Sequence, residues 1–160
     1  MGGRLADIQS VLRPLEQSES LMNEIYSELA EAFAADTEAS SLFSRLAFED
    51  GSHLSQVQFL RRLARQNGSE FGEVDIDPDE LGREVAELET VLESVRRLSL
   101  QEALVLAIQF EGGVAELHAR RAISKANPDV ARVFGTLHLA DERHRDTLIE
   151  LAVRRGFRSA

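Results

Sequence analysis

Residues Ala131–His144 read ARVFGTLHLADERH, and Ser41–His53 read SLFSRLAFEDGSH. Both follow one pattern: Phe, two residues, Leu, three residues, Asp, two residues, His. Phe43, Leu46, Asp50 and His53 carry it in the first copy, Phe134, Leu137, Asp141 and His144 in the second. On an α-helix of about 3.6 residues per turn these offsets fall on one broad face. That face begins apolar and ends in a carboxylate and an imidazole one turn apart. Such a pair at i and i+3 on the inward side of a helix, present twice, is half of a two-metal site. The other half requires two more carboxylates on two more helices.

Glu19 and Glu111 meet that requirement. Glu19 is followed seven residues later by Tyr26, and Glu111 seven residues later by His118. Two helical turns separate the members of each pair, so each shares a face. The Glu motif recurs after a shift of 92 residues and the Asp-x-x-His motif after 91; Glu24 with Glu116, Ala30 with Ala122 and Leu60 with Leu151 match under the same offsets. The chain therefore reads as a duplicated helical hairpin. Two helix pairs make one four-helix bundle, so the fold class expected is all-α and the 160 residues form one domain.

Composition narrows the function. A net charge of -10 argues against nucleic acid and against an anionic membrane as partners, since both need a basic face. The sequence contains no Cys, which excludes disulfides, thiolate-ligated metals and iron–sulfur clusters within it. The opening MGGRLADIQS has no apolar stretch of signal-peptide length, and Ala103–Ile108, the longest apolar run, is too short to span a bilayer. A cytoplasmic protein is expected.

In order along the chain, residues 1–13 suggest a short amphipathic turn or two with Leu5, Ile8 and Leu12 inward. Pro14 then opens a helix to about Ala35, with Asp36 or Thr37 capping the next. The first hairpin spans about 14–67 and ends at Asn67-Gly68. GSEFGEVDID, 68–77, reads as a loop. Asp77, Pro78 and Glu80 are strong signals for a helix start, and Leu81, Val85, Leu88, Leu92 and Val95 form an apolar stripe behind them. This extra helix, within a connection of about 68–98, supplies the long crossover that a bundle with parallel second and third helices needs. Ser99 and Glu102 form a capping box for the second hairpin, about 99–155, whose helices meet at Asn127-Pro128. Gly112 and Gly113 fall inside its first helix on this reading.

Glu19, Asp50, His53, Glu111, Asp141 and His144 all interrupt apolar stripes at the mid-height of their helices. A buried carboxylate without compensation costs several kcal/mol. The Arg residues mostly fall off these faces. Two divalent cations would balance four carboxylates and two neutral imidazoles to zero, and such ligands suit iron or manganese. The bland alternative is a degenerate bundle that has lost its metal. Tyr26 and His118 are candidates to hydrogen-bond the ligands, with plain packing the competing role. His138 reads as a bundle-edge residue. Glu49 and Glu142 read as flanking, and are the substitutes if the register is off by one.

These residues resemble the metal-binding helices of the rubrerythrin group of ferritin-like proteins, over about Glu16 to Ala152. The pattern of that group is Glu with Tyr seven residues on, then Glu-x-x-His, repeated. The resemblance implies a ferritin-like bundle with a non-haem centre of two Fe ions, or of Mn or mixed Fe/Mn. Its metal ligands would be Glu19, Asp50, His53, Glu111, Asp141 and His144. It implies reaction with peroxide, dioxygen or Fe(II), with an external electron donor if the protein is a catalytic oxidoreductase, and a homodimer is compatible with it. This sequence departs from the family in three ways. Asp50 and Asp141 stand where Glu is usual. Ala107, Ile108, Val114 and Ala115 hold the positions where an extra Glu would lie near the helix-three ligand. No rubredoxin module is present in these residues. A non-enzymatic metal-binding or assembly bundle is the alternative function; a di-iron hydroxylase, which needs a sizeable pocket beside the metals, is the third.

Overall fold

The computed structural model describes residues 5–66, 73–75, 77–113 and 128–157. Among these, five α-helices form a bundle: α1 (Ile8–Ala32), α2 (Thr37–Gln66), α3 (Pro78–Ser94), α4 (Leu100–Glu111) and α5 (Pro128–Arg154). A 3-10 turn, Val95–Arg97, follows α3. Helix α1 lies along α2 and α3, α4 packs on α5, and α2 meets α5. No helix among the described residues is long and apolar enough to cross a membrane.

Local chemistry accounts for most of the boundaries. Asp36 caps α2 by accepting from the Ala39 N–H at 3.2 Å. Asp77 caps α3 by accepting from the Asp79 N–H at 2.9 Å, with Pro78 as first helical residue. The Ser99–Glu102 box at α4 is closed in both directions, at 3.1 and 2.9 Å. At the end of α5, Gly156 takes φ +73, the left-handed conformation that Gly adopts without steric cost. That turn folds Phe157 back, and its N–H bonds to Ala152 O at 2.9 Å. Arg155 then grips Asp36 through two N–H···O bonds of 2.7 and 2.8 Å, joining the chain end to the α1–α2 corner. This guanidinium, with the Ala39 N–H, holds the Asp36 carboxyl at about 2.

Four sequence expectations need correction. Helix α1 starts at Ile8, and Pro14 sits inside it. An interior Pro costs about 3 kcal/mol. Burying Ile8, Val11 and Leu12, each fully enclosed, returns about 1.5–3 kcal/mol apiece. The stripe therefore extends the helix backward past the breaker. The same helix ends at Ala32, with Phe33 as C-cap, rather than near Ala35. The stretch read as a loop contains a strand, β2 (Glu73–Asp75), which pairs antiparallel with β1 (Leu5–Asp7), Leu5 opposite Asp75. Finally, α4 ends at Glu111 with Gly112 as its C-cap instead of running through Gly112–Gly113. Two consecutive glycines cost about 1 kcal/mol each in a helix interior. A Cβ at Gly113 would also stand 3.0 Å from Phe110 O and from Glu84 Oε1. Asn67-Gly68, Ala115, His118 and Ala122 lie outside the described residues.

The core has two parts. Ile8, Val11, Leu12, Leu15, Val57, Leu60, Ala64, Leu81, Phe134 and Leu137 form one cluster. The other contains Met22, Ile25, Tyr26, Leu29, Phe43, Leu46, Ala47, Leu104, Ala107, Leu148 and Leu151. Along α1 the first cluster ends at Leu15 and the second begins at Met22. Along α2 the break runs from Ala47 to Val57, and along α5 from Leu137 to Leu148. Five of the six predicted metal ligands occupy these breaks, and the sixth, Glu111, ends α4.

The first cluster leans on Phe134, 6% exposed. Replacing it with Ala should lower unfolding stability by about 3–5 kcal/mol through the cavity left behind. Urea denaturation checks this, and a loss under about 1 kcal/mol would mean the cluster repacks around the gap.

Candidate metal centre

Asp50, His53, Asp141, His144, Glu19 and Glu111 are all buried, from 2% exposed at Asp50 and His144 to 9% at Glu19. Helix periodicity puts Asp50 over His53 and Asp141 over His144, one turn apart. Asn23 fixes the α1–α2 register at this height: its Nδ2 donates to Ala47 O at 2.6 Å, one turn from Glu19 and from Asp50.

The donor atoms converge in two groups, Glu19 with Asp50 and His53, and Asp50 with Glu111 and His144. Within each, one ligand atom per residue lies inside 4.8 Å of the others. His53 Nδ1 is 3.4 Å from Asp50 Oδ1, 3.7 Å from Glu19 Oε2 and 4.0 Å from Asp141 Oδ1. His144 Nδ1 is 3.4 Å from Glu111 Oε1 and 3.8 Å from Asp50 Oδ1. The two imidazoles stack at 5.5 Å between centroids, with Asp50 Oδ1 near both. The sequence places all six residues on inward faces, and the structure brings all six into one layer.

These spacings are long for hydrogen bonds and suitable for shared coordination. Donors about 2.1 Å from one ion lie about 3–3.5 Å apart as neighbours and about 4.2 Å apart when opposite. Asp50 Oδ2, His53 Nδ1 and His144 Nδ1 are buried without a hydrogen-bond partner. Each such orphan is costly, and native structures rarely leave one unexplained. Among the described residues no Arg or Lys pairs with Glu19, Asp50 or Glu111. The donor set thus fits divalent cations: hard and borderline ligands, acidic in excess, with orphaned atoms facing one another.

Protons take up the charge when no cation is bound. Burial pushes the Asp50 carboxyl up to about 7, reinforced by Glu111 and Glu19. Burial alone would lower His53, but the Asp50 and Glu19 carboxylates outweigh it and lift the imidazole to about 10. Burial is likewise outweighed at His144 by Glu111, Glu49 and Asp50, which lift it to about 9.

Neighbours fix the ligands. Tyr26 Oη donates to Glu111 Oε1 at 2.6 Å, and burial with the nearby Glu111 and Asp50 raises its pKa, so it stays a donor. Glu49, expected only to flank, reaches across to His144 Nε2. With a proton on Nε2 facing Glu49, Nδ1 is left as the coordinating nitrogen. His138 is buried rather than at an open edge, and its Nε2 meets Glu142 Oε1 at 3.1 Å. His118 lies outside the described residues. Sequence reading missed Glu84 on α3, which lines a small void together with Glu19, Asp50 and Glu111. Burial, then Glu87, Glu19 and Glu80, push Glu84 up to about 7. Its offset from the stripe Leu81, Val85, Leu88 was the only signal, and any solvated Glu shares it.

The raised pKa values fix the sign of a pH effect. A group that holds its proton more tightly folded than unfolded stabilises most below its unfolded pKa and loses that contribution as pH rises through the folded one. Asp50 goes from 3.8 to about 7, His53 from 6.5 to about 10 and His144 from 6.5 to about 9. Metal-free protein should therefore melt at progressively lower temperature from about pH 6 to pH 10, with a flatter profile once metal is loaded. A metal-free melting temperature that rises across this range would contradict the protonated cluster. No family model, curated protein or solved structure matches the chain.

Proposed function

We propose that the chain is a ferritin-like, rubrerythrin-type protein that binds a pair of transition-metal ions and oxidises Fe(II) or reduces peroxide or dioxygen with electrons from an external donor. One observation carries this reading. Three buried donor atoms without hydrogen-bond partners, Asp50 Oδ2, His53 Nδ1 and His144 Nδ1, belong to residues that converge with Glu19 and Glu111. Asp141 completes the ligand set, with Oδ1 4.0 Å from His53 Nδ1.

When bound, iron or manganese would supply the electrons exchanged with the oxidant. The chain's own residues do the rest. Four carboxylates neutralise two divalent charges. Tyr26 holds the Glu111 carboxylate, and Glu49 sets the face that His144 presents. The two apolar clusters exclude bulk water on either side. Asp50 sits between the imidazoles, so its shorter side chain still serves both groups.

Void size bears on the substrate. Leu15, Glu19, Val57, Phe134, Leu137, His138 and Asp141 enclose about 20 Å³, and the void beside Glu84, Glu19, Asp50 and Glu111 holds about 10 Å³. Each admits a water-sized molecule, whereas an organic substrate needs about 300 Å³ or more. The voids that touch the candidate ligands therefore suit small oxidants better than the substrate of a hydroxylase, and the larger groove between α3 and α4 is lined by none of the six.

Elemental analysis of protein purified without added metal should find about two iron or manganese ions per chain for the two ligand groups. Glu111→Gln should lower that content strongly, because it removes one of the four negative charges that balance two divalent cations. A chain that contains no metal and takes up no Fe(II) anaerobically would remove the proposal.

Turnover separates catalysis from storage or scaffolding. With no Cys and no other redox centre in the sequence, chemically reduced protein should react with peroxide once per metal pair and stop until a reductant is added. Stopped-flow absorbance checks this. Sustained NADH-driven turnover by the pure protein would contradict it, and a loaded protein inert to peroxide and dioxygen would be a non-enzymatic metal binder.

A further inference from the structure

A groove of about 680 Å³ runs between α3 and the end of α4, lined among others by Glu80, Glu84, Glu87, Gln109, Phe110 and Gly113. Arg83 offsets one of its three carboxylates. Glu84 and Phe110 also line the small void that contains Glu19, Asp50 and Glu111. These two residues therefore form the wall between solvent and the candidate ligands. Glu84 is half-buried, and Gly113 makes room for it: a Cβ there would stand 3.0 Å from Glu84 Oε1. Among the described residues Glu84 makes no ion pair. On the far side of the wall, Asp50, 2% exposed, lines the inner void and has Oδ2 without a partner.

We propose that Glu84 is a loading station for divalent cations, receiving an ion from the acidic groove and passing it inward to Glu19, Asp50 and Glu111. This rests on the two-metal reading above. A hydrated dication approaching a closed bundle must lose water before it meets its ligands. A carboxylate at the wall replaces part of that shell while three further carboxylates draw the ion onward. Glu80 and Glu87 raise the local cation concentration outside, as charge-lined clefts do. The crossover helix thus gains a role beyond connecting the two hairpins.

Co(II) binding to metal-free protein, followed by stopped-flow absorbance of its ligand-field bands, tests this. Wild type should fill to about two ions per chain, at a rate that falls with added salt. Glu84→Gln should reach the same final content about tenfold more slowly, with the salt dependence reduced. Glu89→Gln, on an exposed residue outside the groove, should load like wild type, and melting curves verify that all three proteins fold. Loading of Glu84→Gln at the wild-type rate overturns the proposal and leaves the metal site intact. A variant that loses one ion at saturation also overturns it, because Glu84 would then be a permanent ligand. Wild type that binds no Co(II) removes the two-metal reading itself, and this proposal with it.

Discussion

Everything in this bundle answers to one constraint: four carboxylates and two imidazoles share a buried layer between two apolar clusters. Such a layer is a severe burden on a small domain. Each ionised carboxylate loses its hydration, and no Arg or Lys among the described residues pairs with Glu19, Asp50 or Glu111. The apolar clusters on either side must supply the stability that the layer withholds. That explains why α1 begins as early as Ile8, despite Pro14, and why the corner at Asp36 is clamped by Arg155. The layer stays tolerable in metal-free protein only by holding protons on Asp50, His53 and His144. Cations of charge two would replace those protons at the same atoms.

The shorter acidic side chains change the geometry the layer can adopt. Asp places its carboxylate one methylene nearer the helix axis than Glu, so serving two ions demands close helices. Asn23 bonds Ala47 O at 2.6 Å, tying α1 to α2 one turn from Asp50. The stacked imidazoles, 5.5 Å apart, flank Asp50 Oδ1. The short Asp50 side chain thus reaches both imidazoles because the helices that carry them lie close.

Legibility followed the range of the interactions involved. Asp50 with His53 and Asp141 with His144 were readable because helix periodicity alone puts i and i+3 on one face. The starts of α2, α3 and α4 were readable because capping is written in the three residues that perform it. Pro14 misled because the local cost of Pro is outweighed by burial that only the assembled bundle provides. The β1–β2 ribbon, three residues on each side, is too short to show a periodic signal and pairs segments far apart in the chain. On sequence Glu49 reads as flanking, because it points about 100° from Asp50 on its own helix. It points instead at α5, and only the packing of α2 on α5 brings it to His144. Glu84 was invisible for the same reason.

The contacts around the site run between the two halves of the chain as well as within them. Tyr26 of the first half bonds Glu111 of the second, and Glu49 of the first half bonds His144 of the second. Asp50 belongs to both donor groups, one of which joins it to Glu111 and His144. The first donor group, Glu19 with Asp50 and His53, comes wholly from the first hairpin, whereas the second joins Asp50 of the first hairpin to Glu111 and His144 of the second. A cation held by the second group would favour docked halves over separated ones, because that donor set exists only when they meet. The polar layer that weakens the metal-free bundle is then also what makes its assembly depend on the ion.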